Sequence, residues 1–281
     1  MSEDAGALVK LAAAAGVATI TLARPGMRNA LVPELLLDLC VALETAGRRD
    51  DVRCVLLQAE GDAFSIGEDL RRLAREMSGP RLQAYSAELV GLLNQAVLSL
   101  LRLPQPVVAA VQGEVAGGSV GLVLAADVVI AADAASFRAH PAGAGFSPDG
   151  GWTALLPRLA GARRAGAGLL LNRAIGAHEA RDWGIVTDVV PPARLRDAAS
   201  DAARAIAAAP AAPMRNAKRM LVDGLEQVEA ALEAERMRFI DAIDGAEARE
   251  ALERLLRAAP GYPAEAGDAP AGALAHADPR A

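Results

Sequence analysis

Hydrophobic positions along the chain follow two spacings, one typical of strands and one typical of helices. Residues 16–22 alternate between apolar and polar side chains, which predicts a half-buried strand. The next apolar positions recur every three or four residues, which predicts one buried helix face. They are Leu35, Leu39, Ala42, Leu43 and Ala46. Further strands are predicted at 52–58, 106–112, 128–131 and 186–190, and a further helix at 83–101. Strands that alternate with helices predict an α/β fold with a mostly parallel sheet.

The carboxy-terminal part of the chain loses the strand pattern. Residues 207–213 are rich in alanine and proline and predict a linker, whereas 214–257 are amphipathic and charged, which predicts helix throughout. The expected organisation is a core at 1–207, a helical segment at 208–257 and a tail at 258–281. The tail is dominated by proline, glycine and alanine, which predicts disorder. Because one side of the helical segment is apolar, we expect that side to pack on the core or on a second copy of the chain.

The stretch from Pro104 to Asp127 combines a strand, a glycine turn and a helix. Gly113 interrupts the apolar run of the strand, and Gly117 and Gly118 open an apolar segment long enough for about two and a half helical turns. The first amides of a helix have no carbonyl partner within it, so this start suits an oxygen that carries negative charge. Alternatively, the two glycines only allow close packing of helix and strand. The residues alone leave both interpretations open.

A carboxylate lies among apolar and aromatic residues in the segment 145–152, part of a loop-like stretch rich in glycine and proline. Asp149 stands between Phe146 and Trp152, and desolvation in such a place raises the pKa of an aspartate. Asp149 is therefore a carboxylate whose surroundings favour a raised pKa. Aspartate before glycine is also a common turn residue, and this alternative remains.

Composition narrows the possible partners. The chain has 281 residues, a formal charge of −6 and a pI near 5.2, which argues against general nucleic-acid binding. Cys40 and Cys54 stand alone and are expected to be core residues rather than a disulfide or a zinc site. The short apolar run at 11–15 lacks the basic start of a signal peptide, and no apolar run reaches membrane-spanning length. We therefore expect a soluble, cytoplasmic protein without a metal.

Four segments resemble motifs of the crotonase superfamily, the enoyl-CoA hydratase and isomerase family. Residues 16–31 resemble its opening strand and turn, with Ala23 in place of an asparagine, and 64–70 resemble its F-S-x-G-x-D-L motif. Residues 106–127 and 183–191 resemble two later motifs. All four occur in the family's order, and the resemblance covers about residues 8–257.

The resemblance implies a spiral of ββα turns that binds an acyl-CoA thioester, with a helical carboxy-terminal segment that supports trimers or hexamers. Coenzyme A enters as part of the substrate, so no separate cofactor is implied. The backbone amides of Glu68 and Gly118 would face the thioester oxygen and stabilise an enolate. The substrate-binding residues implied are Ile66, Gly67, Glu68, Asp69, Gly117, Gly118 and Trp152, with Arg24 and Arg28 as candidate phosphate ligands.

Departures from the family pattern bear on the reaction. Hydratases of this family use two glutamates to place water, and Gly121 and Pro141 stand at those positions. The segment around Asp149 instead resembles that of the branch that includes 1,2-epoxyphenylacetyl-CoA isomerase, where the aspartate carries the proton. One acid–base group suits an isomerase, which removes a proton at one carbon and returns it at another. The side chain of Glu68 is a further departure, which could repel the enolate or act as a second base.

Three other functions remain as alternatives. The motif G-x-S-x-G at 117–121 matches a nucleophile elbow with Ser119 as the nucleophile of a hydrolase. Its base would have to be His140, His178 or His276. A non-catalytic acyl-CoA binder would explain the loss of both glutamates, and an enoyl-CoA hydratase is the remaining alternative.

Overall fold

The computed structural model describes residues 7–139 and 145–258. Its strands are β1 (Val9–Ala14), β2 (Val17–Leu22), β3 (Cys54–Ala59), β4 (Val107–Val111), β5 (Glu114–Ala116), β6 (Val128–Ala132), β7 (Ser136–Arg138), β8 (Ile175–Gly176) and β9 (Asp188–Val190). Its helices are α1 (Pro33–Gly47), α2 (Leu70–Met77), α3 (Leu82–Arg102), α4 (Val120–Leu124), α5 (Leu156–Ala160), α6 (Ala162–Leu170), α7 (Ala177–Asp182), α8 (Leu195–Ala208), α9 (Ala211–Leu221), α10 (Leu225–Ile243) and α11 (Ala246–Ala258). Short 3₁₀ turns lie at Pro25–Met27, Gly117–Ser119 and Pro192–Arg194.

Two sheets organise the strands. The larger sheet has the order β1-β2-β3-β4-β6-β9, and every neighbouring pair in it is parallel except β1 with β2. A smaller sheet has the order β5-β7-β8. Strands β3 and β4 are almost entirely buried, which explains their continuous apolar runs. The predicted α/β fold is confirmed.

Helices cover both faces of the larger sheet. Helices α1 and α3 pack together over one face, where the predicted apolar positions of α1 are buried. Helix α8 packs on the other face through Leu195, Ala199, Ala203 and Ala207. Small side chains at four-residue spacing let the axis of α8 approach the sheet closely.

The first strand was not predicted. Residues 11–15 read as a short apolar run, but residues 9–14 form β1 and pair with β2 through a tight turn. In that turn Ala15 and Gly16 both have positive φ, of 51° and 79°. Most of β1 is exposed or half-buried, and its alanines hide the alternation that marks a strand.

The predicted linker and continuous carboxy-terminal helix are also wrong. Only residues 209 and 210 separate α8 from α9, because the alanines of the supposed linker extend both helices. The helical segment is three helices, with breaks at 222–224 and 244–245. Gly224 has φ 66°, a left-handed conformation that favours glycine before α10. Of the predicted tail at 258–281, residue 258 ends α11, and 259–281 lie outside the described residues.

An ion pair between the buried Lys218 and the partly exposed Asp127 fixes α9 to the base of the sheet. Lys218 donates to Asp127 at 2.8 Å and to the carbonyl oxygens of Leu100 and Gln105 at 2.9 and 3.2 Å. Asp127 also accepts the amide of Val107 at 2.7 Å. Burial lowers the pKa of Lys218, and the charge of Asp127 opposes that shift. The pair therefore anchors α9 next to the strand that leads to the candidate site.

Helix α3 is long and apolar enough to cross a membrane by length and composition, although the sequence analysis expected no such segment. Within the protein, 56% of its most apolar window is buried. It packs between α1 and α10. Helix α3 is therefore a core helix of the fold.

Candidate active site

Two glycine-containing turns, at 64–69 and 117–118, meet beside the larger sheet. Gly67, with φ 79°, lies so close to the next turn that a Cβ on it would be 2.7 Å from the carbonyl oxygen of Ala116. The amide of Ala116 donates to the carbonyl of Ser65 at 3.0 Å. These contacts place the turn at 64–69 directly against Gly117 and Gly118.

The carboxylate of Glu68 covers this junction. Its Oε1 accepts the amide of Gly118 at 3.0 Å, and a Cβ on Gly117 would lie 2.5 Å from its Oε2. Glu68 is buried, with 6% of its surface exposed. The amide of Gly118 is therefore bound by an oxygen that can carry negative charge, as expected. That oxygen belongs to the protein's own Glu68 side chain.

Asp149 also lies against Gly118. A Cβ on Gly118 would lie 2.7 Å from Oδ2 of Asp149 and 2.9 Å from Oε1 of Glu68. Asp149 has no exposed surface, and burial raises its pKa well above the usual range. The charge of Glu68, a hydrogen bond with Glu68 and the charge of Glu235 raise it further. The site thus contains two hydrogen-bonded carboxyl groups.

The turn that carries Asp149 packs backbone against backbone. Gly150 and Gly151 both have positive φ, and a Cβ on Gly150 would lie 2.2 Å from the carbonyl oxygen of Gly118. A Cβ on Gly121 would lie 2.0 Å from the carbonyl oxygen of Gly150. The turn that carries Asp149 thus occupies the space that a side chain at position 121 would need, so that only glycine fits there.

Trp152 fastens this turn to the glycine motif. Its indole Nε1 donates to the carbonyl of Gly117 at 2.9 Å, and the ring is fully buried. The ring fills the core behind the turn at 149–152. In the described structure Trp152 therefore supports the turn from within the core.

Glu235 is a member of the site that the sequence analysis missed. On α10, its carboxylate accepts the amides of Gly151, Thr153 and Ala154 at 2.7, 2.6 and 3.0 Å. It also accepts the hydroxyl of Thr153 at 2.6 Å. A signal was available, because Val228, Leu232, Glu235 and Phe239 recur at helical spacing and only one of them is charged.

The predicted phosphate ligands are held within the chain. Arg24 donates to Asp69 and to the carbonyl of Ala30, both at 2.9 Å, and Asp69 accepts the first-turn amide of α2. Arg28 has a left-handed φ of 49°. Its guanidinium lies 3.5 and 3.3 Å from the carboxylates of Asp62 and Glu114. A contact of either arginine with coenzyme A stays a prediction.

Ile66 and Asp69 border the junction, the first half-buried and the second fully buried. Ser119 is buried, and its hydroxyl lies 2.6 and 3.0 Å from the carbonyl oxygens of Ala116 and Ser65. Of the candidate bases for a hydrolase, His178 is exposed on α7. His140 and His276, like Pro141, lie outside the described residues. The geometry at Ser119 is that of a structural hydroxyl.

Residues 12–260 match the family model described as enoyl-CoA hydratase/isomerase. The chain belongs to the enoyl-CoA hydratase/isomerase family. It is 37% identical over 195 residues to 1,2-epoxyphenylacetyl-CoA isomerase of Escherichia coli, covering 69% of this chain and 74% of that protein. It is 36% identical over 240 residues to a probable enoyl-CoA hydratase of Rhodobacter capsulatus, covering 83% of this chain and 91% of that protein.

A solved structure shares the architecture. The chain superposes on an enoyl-CoA hydratase from Bacillus halodurans with a TM-score of 0.82 and 25% identity, over 88% of this chain and 99% of that one. The resemblance stated from the sequence motifs is thereby confirmed. Relatives of this enoyl-CoA hydratase/isomerase family member carry both isomerase and hydratase names, so the choice between reactions depends on the site.

Proposed function

We propose that the protein is an enoyl-CoA isomerase in which Asp149 carries the transferred proton. The position of Asp149 supports this most. Its side chain is fully buried and lies next to Gly118, whose amide is one of the two proposed donors. A carboxyl group with a raised pKa is a stronger base when ionised and can return the proton that it takes.

In this proposal ionised Asp149 removes a proton from a carbon conjugated with the thioester. The electron pair moves onto the thioester oxygen, which accepts hydrogen bonds from the backbone amides of Gly118 and Glu68. The same proton then returns from Asp149 to another carbon of the enolate, which shifts the double bond. Fixed amide donors of this kind are worth about a hundred- to a thousandfold in rate each.

Oε1 of Glu68 stands in for the enolate oxygen, because both are anionic oxygens on the amide of Gly118. The thioester has to displace this carboxylate in order to use the amide. Displacement also breaks the hydrogen bond between Glu68 and Asp149 and leaves Asp149 next to the substrate. We therefore assign Glu68 to the substrate-binding step and Asp149 to proton transfer.

Hydration is the alternative that the geometry favours less. A hydratase needs groups that hold and activate water, and the backbone of Gly150 fills the space beside Gly121. We therefore expect little hydration of crotonyl-CoA. Acyl-CoA binding without catalysis would not require two carboxyl groups to be buried beside the amide of Gly118.

A panel of enoyl-CoA esters that differ in chain length and double-bond position tests the proposal. Products would be compared for the wild type and for Asp149→Asn and Glu68→Gln. We expect double-bond migration by the wild type and a loss of about a hundred- to ten-thousandfold in Asp149→Asn. Proton exchange next to the thioester in heavy water identifies enolate formation directly. Normal turnover by Asp149→Asn, or absence of exchange with every ester, would refute the proposal.

A further inference from the structure

Helix α10 is held rigidly against the core on the face that carries Glu235. Asn94 of α3 donates to the carbonyl of Leu232 at 3.0 Å, close to one turn before Glu235. Phe239, one turn after it, lies 6.0 Å from Phe146 between ring centroids. Val228, Leu232 and Phe239 are each at most 4% exposed. A carboxylate on this face is therefore fixed in position by its own helix.

The hydrogen bonds of Glu235 all end on the turn that follows Asp149. Both carboxylate oxygens are used, Oε2 for the amide of Gly151 and Oε1 for Thr153 and Ala154. Gly150 and Gly151 have positive φ, so this turn has few intrinsic constraints. A carboxylate that accepts three amides of this turn, those of Gly151, Thr153 and Ala154, makes up for that freedom.

We propose that Glu235 is the positioning residue of the Asp149 turn, linking α10 to the proton-transferring carboxyl group. This inference rests on the proposed role of Asp149. It gives Glu235 two effects on one neighbour: its hydrogen bonds fix where Asp149 lies, and its negative charge opposes ionisation of Asp149. Among the described residues, the charged groups that act on Asp149 are Glu68 and Glu235, the latter through the turn that follows Asp149.

Glu235→Gln separates positioning from a purely structural role. A glutamine keeps one acceptor oxygen but directs an NH₂ donor at one of the turn amides, and it carries no charge. We expect kcat for the isomerised ester to fall about ten- to a hundredfold, as a misplaced catalytic group does, with KM within about twofold. The limb of the pH–rate profile that belongs to Asp149 should move to lower pH, because one of the charges that raise its pKa is gone.

Two further variants complete the test. Glu233→Gln alters an exposed carboxylate of the same helix and should match the wild type. Thr153→Ala removes the exposed side chain that donates to Glu235 and retains the charge, so kcat should fall about three- to tenfold without a shift of the pH limb. If Glu235→Gln does not fold, this variant decides, and an unchanged kcat would overturn the inference.

Unchanged kcat in folded Glu235→Gln would likewise overturn it. The inference would also be overturned if activity fell only in proportion to the fraction of folded protein and the pH–rate profile of Glu235→Gln did not shift. Asp149→Asn in the same assays separates the two proposals. If Asp149→Asn is inactive and Glu235→Gln is normal, only the positioning role fails; if Asp149→Asn is normal, the proposed function fails.

Discussion

The carbonyl oxygen of Gly150 lies where the side chain of residue 121 would begin, 2.0 Å from a Cβ built on Gly121. Hydratases of the family are expected to hold a glutamate at this position. In this chain the turn that presents Asp149 fills that space with backbone. A side chain at 121 and the observed position of Asp149 therefore exclude one another, which links the absence of one carboxylate to the presence of the other.

Gly121→Ala should displace the Asp149 turn. Overpacking of this kind costs about 1–3 kcal/mol, and a shift of about 1 Å in a reacting group can cost about a hundredfold in rate. We expect kcat to fall by about that factor, with a lower free energy of unfolding in urea. Gly91→Ala is the matched control, because a Cβ on Gly91 meets nothing within 4 Å. It should gain about 0.5–1 kcal/mol from helix propensity. Normal activity in Gly121→Ala would contradict the argument.

Sequence motifs indicated the parts of the site that depend on backbone geometry and solvation. The resemblance implied that the turns with Gly67 and with Gly117 and Gly118 face one oxygen, and in the structure Gly67 lies against Ala116. The burial of Asp149 followed from its apolar neighbours. In each case a residue type restricts the backbone or the solvation of its own segment, so the pattern carries the information.

Side-chain direction and distant contacts were not predictable in this way. The motif at 64–70 assigns a role to the amide of Glu68 but does not set its side-chain rotamer, which places the carboxylate on Gly118. The bonds of Glu235 to Gly151 and Thr153 span more than eighty residues. They depend on how α10 packs on α3, which the periodicity of a single helix does not specify.

Asp149→Asn should make the protein more stable at neutral pH. The folded-state pKa of Asp149 lies above the unfolded value of about 3.9, mainly because of burial. Its stabilising contribution is therefore complete below about pH 3.9 and is lost as the pH rises through the folded-state pKa. Asparagine has no such loss, so the Tm difference between variant and wild type should grow in favour of the variant from pH 4 upward.

Thermal unfolding of the two proteins across this pH range measures the effect. Asp241→Asn changes an exposed aspartate on α10 and should follow the wild-type curve. A Tm difference for Asp149→Asn that stays constant with pH would show that Asp149 titrates alike in the folded and unfolded states.

Lys218→Met should be destabilising, because the buried ammonium group of Lys218 bonds Asp127 and the carbonyl oxygens of Leu100 and Gln105, which all lose their donor. Asp127 is partly exposed, so we expect a cost between that of an exposed pair, about 0–1 kcal/mol, and that of a fully buried one, about 3–5 kcal/mol. Lys10→Met is the natural control, since Lys10 is the other lysine of the chain and its pair with Glu60 is exposed. Urea unfolding compares the two. Adding Asp127→Asn to Lys218→Met should recover part of the loss, and equal costs for both lysines would contradict this account.

Exposed apolar side chains offer a surface for the assembly that the resemblance predicts, a trimer or hexamer. Leu170, Leu171, Met220 and Leu221 are between 70% and 88% exposed. Arg158 of α5 donates to the carbonyl of Asp223 at 3.1 Å, which places the end of α9 near α5 and α6. Light scattering should therefore show a trimer or hexamer, and Leu170→Glu with Leu221→Glu should shift it to smaller species. A monomeric wild type at micromolar concentration would contradict the prediction.

Glu68→Ala should bind acyl-CoA more tightly than the wild type. In the structure the carboxylate of Glu68 holds the amide of Gly118, so a thioester oxygen must first displace it. A hydrogen bond to a charged group contributes about 1.5–3 kcal/mol, which corresponds to about ten- to a hundredfold in affinity. We expect KM to fall within that range and kcat to stay within about tenfold, because Asp149 still carries the proton. Glu68→Gln should gain less, since its amide can still accept from Gly118 and donate to Asp149. If kcat of Glu68→Ala instead fell about a hundred- to ten-thousandfold, Glu68 would be a proton carrier in its own right.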